Sequence, residues 1–357
     1  MTEAAPVLSA HRLDEPALWR YLERHLEGFA GPARLEQFRG GQSNPTYLIT
    51  TPDRRFVLRK KPPGRLLATA HKVEREYRVQ LALAGSAVPV VPMRLLCEDP
   101  AVIGTAFYVM DFLEGRIETD PALEGRTPAE RRAHYDALIA ALAALHTVDY
   151  VERGLSEFGR PEGYPARQLD RWTKQYDASR TEEIASMGRL RSWLEEHLPQ
   201  EDEAAIVHGD FRLGNVMFAP DGPRILAVLD WELSTIGHPL TDVAFFCLSH
   251  YLPPGMPHFG GLDGLDLGAL GIPTVEELLA AYGKLTHRPR IDHWTFHLAL
   301  AFYRLAAICQ GIHARALQGN AADPRGLQFG AIARQLADIG WQRVQSAAQG
   351  SSVGVIR

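Results

Sequence analysis

Apolar and polar positions along this chain follow two periods, and the change between them divides it. Residues 15–29 place Leu18, Tyr21, Leu22 and Leu26 at helical spacing before Gly28 and Gly31-Pro32, which predicts an opening helix. Three short stretches with strand character follow, at 34–38, 46–50 and 55–59. Residues 70–83 return to helical spacing through Val73, Tyr77 and Leu81, and two further strands are predicted at 94–97 and 106–110. After 111–115, which turn polar and flexible, the pattern becomes helical. Thr127-Pro128-Ala129-Glu130 reads as a cap, a proline in the first turn and an acidic start for a helix ending near His146. More helical sequence occupies 165–177, 182–198, 275–284, 292–317 and 324–348, interrupted by a Gly- and Pro-rich stretch at 252–274. The expected division is a β-rich lobe over 1–113 and a helical lobe over 114–357.

One stretch breaks this regularity in a way that carries chemistry. Residues 206–232 read as a short apolar strand opening into His208-Gly209-Asp210, then Asn215, a hairpin through Asp221-Gly222-Pro223, and a second apolar strand that delivers Asp230 at its end. The spacing from Asp210 to Asn215 matches the catalytic loop of protein kinases, with Gly209 in place of Arg, and Asp230 falls where the metal-binding Asp of D-F-G falls. Each piece alone is an ordinary turn or helix cap; in this order, on strand ends, they predict a phosphotransferase core. Asp210 is then the base that takes or orients the acceptor's proton, and Asn215 and Asp230 are hard oxygen ligands for Mg²⁺ on the phosphates.

The amino-terminal lobe supplies nucleotide candidates. Gly40-Gly41-Gln42-Ser43-Asn44 joins the first two strands, and a Gly-rich turn there can lay backbone N–H groups over phosphates. No Walker-type P-loop is present. The third strand ends in Arg59, followed by Lys60 and Lys61; Arg59 is the expected phosphate contact and Glu76, in the following helix, its partner. Met110, Asp111, Phe112 and Leu113 form the expected hinge, whose backbone can read an adenine edge. Only eleven residues separate Asp230 from Asp242, too few for an activation loop ordered by phosphorylation. Asp242 begins an apolar helix, where a carboxylate either caps the backbone or braces the catalytic loop.

Composition narrows the class. With 46% hydrophobic and 23% charged residues the chain is an ordinary globular protein, and a net charge of −5 without a dense basic run argues against nucleic acid or anionic membrane as a partner. Cys97, Cys247 and Cys309 are isolated in apolar sequence, as buried thiols of a reducing compartment are, and a cytoplasmic location is expected.

These motifs resemble those of the aminoglycoside phosphotransferase and choline kinase superfamily, from Gly40 to about Gln335. The segments FVLRKKPPG (56–64), VEREYRV (73–79) and DWELSTIGHPLTDVAF (230–245) look most like the kinase-like domains associated with acyl-CoA dehydrogenases. The resemblance implies an α+β, bilobal protein-kinase-like fold with a small, mostly antiparallel β lobe and a larger helical lobe. It also implies ATP and Mg²⁺ as cofactors, a small hydroxylated acceptor, and a functional association with an acyl-CoA dehydrogenase. His208 and Glu232, with Asp242, would support the site. Arg59 in place of the usual Lys departs from the aminoglycoside enzymes. On the helix predicted at 292–317, His293, His297, Arg304, Gly311 and Arg315 share one face, a cationic stripe suited to an anionic acceptor such as a hydroxyacyl-CoA or hydroxy acid. His297, Arg304 and Arg315 are the acceptor candidates, with a solvated helix face as the plain alternative. Aminoglycoside-type or choline-type phosphotransfer, or a catalytically silent nucleotide-binding module, are the rival functions.

Overall fold

The computed structural model describes residues 4–38, 44–62, 72–200, 203–319 and 324–349. By packing, the chain divides into two units. The first holds 1–117, 153–155 and 214–234; the second holds 118–152, 156–213 and 235–357. The division along the chain at 113/114 thus meets one that returns the 214–234 hairpin to the amino-terminal unit.

Among the described residues the first unit is built on a six-stranded antiparallel sheet. Its order is Ala4–Ala5, Arg34–Phe38, Thr46–Thr50, Arg55–Lys60, Phe107–Asp111 and Met93–Cys97. The two-residue opening strand is too short to show a period, which is why sequence reading passes over it. Alternation sends Leu35, Tyr47, Ile49, Phe56, Leu58, Phe107 and Val109 to one face, where they bury Leu18 and Leu22 of the opening helix Glu15–His25. Arg59 pairs directly with Tyr108 across neighbouring strands, and both face the other way. Against that face packs the helix Val73–Leu83, which carries Glu76 inward. A second sheet joins Arg116–Ile117, Val216–Phe218 and Ile225–Val228. The Arg116 guanidinium fastens its turn by donating to the carbonyls of Ala219 (3.0 Å) and Gly222 (2.8 Å).

The second unit is mainly helical. The helix Pro128–His146 begins at the expected cap, where Thr127 and Glu130 each satisfy the other's backbone. Trp294–Leu317 is long and apolar enough to cross a membrane, yet 78% of its most apolar window is buried inside the protein, as a core helix is. It packs on Tyr164–Ser179, Leu240–Cys247 and Phe329–Ala348. Residues 324–328 form a separate 3₁₀ turn ahead of the last helix. The strand Ala205–Val207, which leads into His208, pairs with Thr235–Gly237.

Candidate active site

In the first unit a single guanidinium meets three carboxylates. Arg59 lies on the inward face of its strand, with Nε 2.9 Å from Glu76 Oε2 and Nη2 2.7 Å from Asp230 Oδ1; Glu232 stands 3.9 Å away. Glu76 is 1% exposed and also accepts from the Tyr108 hydroxyl (3.0 Å) and the Asn44 side-chain amide (2.7 Å). Burial pushes its carboxyl up to about 7; Arg59 opposes the rise, while Asp230 and Glu232 add to it. Burial disfavours the Arg59 charge too, but Glu76 and Asp230 hold the guanidinium protonated. Asp230 and Glu232 thus stand partly exposed beside the buried Arg59–Glu76 pair, with carboxylate oxygens that a bound cation could share.

The hairpin explains how Asp230 reaches this point. The Leu229 N–H donates to the Asn215 carbonyl at 2.8 Å, tying the end of one strand to the start of the other. Asp230 then takes a left-handed backbone, φ 65°, a conformation that a non-glycine residue keeps only where its surroundings enforce it. Its side chain makes no capping bond, so the plain reading of Asp230 as a helix cap does not describe it. Among the described residues no three His, Cys, Asp or Glu side chains converge on a metal centre. Asp230 and the buried Asn215 nevertheless fit Mg²⁺, an ion that takes one or two protein oxygens and completes its shell with phosphate and water. Among the described residues none partners Asn44 Oδ1, which is buried on the same Glu76 cluster.

Lys61 is held by Glu74 at 2.9 Å, so of the three cations at the strand end it is Arg59 that faces the acidic cluster. At the hinge, the Asp111 N–H donates to Pro92 (3.0 Å), the Phe112 N–H to Arg55 (3.3 Å), and the Asp111 carboxylate is gripped by Arg94 at 2.7 and 2.6 Å. The N–H groups of Asp111 and Phe112 are therefore already committed, and Met110 is paired opposite Val57 within the sheet. Gly40, Gly41, Gln42 and Ser43 lie outside the described residues.

The second unit holds Asp210 and its support. Gly209 has φ 82°, a backbone that suits glycine where kinases carry arginine. The N–H groups of His208 and Gly209 both donate to the Asp242 carboxylate, at 2.6 and 2.9 Å. Asp242 stands third in its helix, behind Pro239 at the N-cap, and its carboxylate turns to the loop, which it braces. His146 Nε2 lies 3.4 Å from Asp242, and its Nδ1 is 2.8 Å from the Tyr282 hydroxyl. Burial keeps His146 neutral, and its partners place the proton on Nε2, with Tyr282 donating to Nδ1. Burial alone would raise Asp242; the His146 hydrogen bond and the backbone donor at His208 hold it below the usual carboxylate range. The fully buried His208 takes the Asp210 N–H on Nδ1 at 3.2 Å, which points the loop. The Asp210 side chain is 24% exposed, with the Arg212 guanidinium 3.5 Å away.

The expected cationic stripe is corrected. His297 is 1% exposed, and burial holds its pKa well below 6.5, so it carries no charge. Arg304 donates to the Gly209 carbonyl and lies over the rings of Phe245 (4.8 Å) and Trp172 (5.3 Å). Arg315, exposed in the last turn, is three turns further on and does not line the pocket that His297 and Arg304 share. Spacing gave the direction of these side chains but not their depth. His146, Tyr282 and the loop contact of Arg304 were missed altogether, because the partners are 96, 136 and 95 residues apart and no local pattern marks them.

Residues 34–294 match the model of the phosphotransferase enzyme family. The chain belongs to that family. Among its relatives, acyl-CoA dehydrogenase family member 10 of Mus musculus is 45% identical over 337 residues. The match covers 94% of this chain but only 32% of the mouse protein, so the chain spans about a third of that relative's length. A solved structure from Ralstonia eutropha JMP134, named as a candidate aminoglycoside phosphotransferase, is 48% identical with a TM-score of 0.87, covering 94% of this chain and 99% of that one. A spectinomycin phosphotransferase solved with ADP and spectinomycin shares the fold at 13% identity, with a TM-score of 0.61 and coverage of 94% and 99%. The kinase-like α+β fold expected from the motifs is thereby shown.

Proposed function

We propose that this protein is an ATP- and Mg²⁺-dependent phosphotransferase that phosphorylates a hydroxyl of a small metabolite, a hydroxyacyl-CoA or hydroxy acid first among candidates. The observation that carries the reading is the cluster of Glu76, Asp230 and Glu232 around Arg59. Carboxylate oxygens beside a fixed guanidinium offer ligands for Mg²⁺ and a donor for phosphate, the two parts of a Mg²⁺-nucleotide, and the ADP held by the spectinomycin enzyme supports nucleotide use.

In this reading Arg59 contacts the phosphates in a bidentate fork while Glu76, locked by Tyr108 and Asn44, fixes its direction. Asn215 and Asp230 would hold Mg²⁺, which when bound neutralises charge on the β- and γ-phosphates. Asp210 accepts the acceptor's hydroxyl proton as the oxygen bonds to the γ-phosphorus and the bond to the β-phosphate oxygen breaks, releasing ADP. Asp242 and His208 keep Asp210 on station. The acyl-CoA dehydrogenase name of the mouse relative supports an acceptor from acyl metabolism and an association with such an enzyme.

The test is ADP release, with and without Mg²⁺, against a panel of hydroxyacyl-CoAs, hydroxy acids, choline-like amines, aminoglycosides and sugars. Mg²⁺-dependent turnover of an acyl compound is expected. Nucleotide binding with no ADP release from any acceptor would identify a silent module instead, and selective turnover of aminoglycosides or choline would move the acceptor class.

A further inference from the structure

The peptide that joins Gly209 to Asp210 is held at both of its polar ends. Its N–H, that of Asp210, donates to His208 Nδ1 at 3.2 Å, and its carbonyl, that of Gly209, accepts from the Arg304 guanidinium. The two N–H groups before it, of His208 and Gly209, go to Asp242. We propose that Arg304 is a positioning residue for the phosphotransfer: it fixes the plane of the Gly209–Asp210 peptide and so the direction in which the Asp210 carboxylate leaves the loop. This rests on the phosphotransferase reading above and adds to it a residue that acts on Asp210 only through the backbone.

Glycine makes such a clamp necessary. Gly209 has φ 82°, and a residue without Cβ leaves the peptide after it freer to rotate than any other residue would. Turning that peptide over would exchange its N–H and its carbonyl and swing Asp210 with them. The bond to His208 joins a backbone N–H to a ring nitrogen at 3.2 Å, the long end of the hydrogen-bond range. On the carbonyl side Arg304 supplies a charge-assisted bond, roughly twice as strong as a neutral one. The protein-kinase loop carries an arginine where this chain has Gly209; here a guanidinium arrives at that residue from a helix 95 positions later in the chain.

Arg304 is itself fixed before any substrate binds. It belongs to the helix Trp294–Leu317, and its guanidinium carbon lies 4.8 Å from the centre of the Phe245 ring and 5.3 Å from that of Trp172. Phe245 follows Asp242 by three residues in the helix Leu240–Cys247, which puts the two on one side of that helix. A single short helix therefore acts on the loop twice: its carboxylate takes the N–H groups, and its ring steadies the cation that takes the carbonyl. A planar guanidinium can lie on aromatic faces while donating at its edge, which the compact, strongly hydrated ammonium of lysine does less well. Arg304 Nε is buried and without a partner among the described residues. A role in holding the acceptor through Nε would show in the acceptor's KM, whereas a role in aiming Asp210 shows in kcat.

The full chain is compared as wild type, as Arg304→Met, which keeps an apolar side chain between the two rings, and as Arg304→Lys. ADP release from Mg-ATP is followed with water as acceptor and with the fastest acceptor of the panel above, and amide exchange is read by mass spectrometry in Mg-ADP. Arg304→Met should lose about tenfold or more in kcat, with acceptor KM and Mg-ADP affinity within about twofold of wild type. Exchange over residues 207–213 should quicken by about tenfold or more while the rest of the second unit keeps its protection. Arg304→Lys should recover part of kcat, and ethylguanidinium added to Arg304→Ala should restore part of it without affecting the wild type. A raised acceptor KM at unchanged kcat, or unchanged exchange over 207–213, would overturn the proposal. Exchange quickened throughout the second unit, without rescue by ethylguanidinium, would make Arg304 a packing residue instead. Quickening confined to 207–213 in Arg304→Met, with no ADP release by the wild type from any acceptor, would sustain the clamp and sink the phosphotransfer reading.

Discussion

The Asp242 carboxylate lies 2.6 Å from the backbone nitrogen of His208 and also takes the N–H of Gly209, so one buried side chain fixes the two residues that precede Asp210. Asp242→Asn replaces one accepting oxygen by an amide that itself donates and must face an N–H. A charge-assisted hydrogen bond in a buried setting is worth about 1.5–3 kcal/mol, so the variant should lose stability of that order. Because the loop moves with it, kcat should fall at least about tenfold while the Kd for Mg-ATP changes little. Denaturant melts, steady-state kinetics and calorimetry on one preparation check this. Unaltered kcat in a destabilised variant would reduce Asp242 to a packing role.

Asp210 and Asp230 should separate in the same measurements. Asp210→Asn removes the proton acceptor and should abolish transfer with Mg-ATP affinity nearly intact. Asp230→Asn removes a metal oxygen and should weaken Mg-ATP binding itself. Equal losses of affinity in calorimetric titrations of the two would mean that the roles are wrongly assigned.

Much of this arrangement is legible along the chain, and the reasons differ from residue to residue. A period of two puts Arg59 on the face opposite Leu58, whereas the apolar spacing of Val73, Tyr77 and Leu81 leaves Glu76 on a polar side; the kinase pattern singles it out, and the structure buries it while Leu81 is exposed. Asp230 is visible because an apolar strand delivers it. Asp242 is visible only as a choice, since a carboxylate at a helix start can cap or reach elsewhere, and only its bonds to His208 and Gly209 decide. His146 and Tyr282 leave no trace, as nothing near either residue encodes a partner on another helix. His297 was misread as a cation because helical angle says which way a side chain points and burial decides whether it holds a proton.

Arg59 offers a test of geometry against charge. Its Nε serves Glu76 and its Nη2 serves Asp230, a span that the single ammonium of lysine cannot reproduce. Arg59→Ala should raise KM for ATP strongly, and Arg59→Lys should recover only part of it. Lys61→Ala should change KM little, because Lys61 is occupied with Glu74 in a half-exposed pair worth under about 1 kcal/mol. A larger effect at Lys61 than at Arg59 would put the phosphate contact two residues further along the strand.

The second unit also predicts how the protein responds to acid. Burial lowers the pKa of His146, His250 and His297 below 6.5 and takes His238 down to about 4. The unfolded chain binds protons at these four positions as pH drops past about 6.5 while the folded protein does not, so the unfolded state holds more protons and stability falls as pH falls. Each histidine adds up to about 1.4 kcal/mol per pH unit between 6.5 and its folded pKa. Asp242, held below the usual carboxylate range, contributes stability that is lost only at lower pH, as its own carboxylate protonates. Denaturant midpoints measured from pH 7.5 to 5 should therefore decline steadily, and His250→Gln, which removes one titrating ring whose Nε2 lies 3.0 Å from the Pro273 carbonyl, should flatten the slope. A midpoint independent of pH over that range would mean that these rings pick up protons in the folded state as readily as in the unfolded chain.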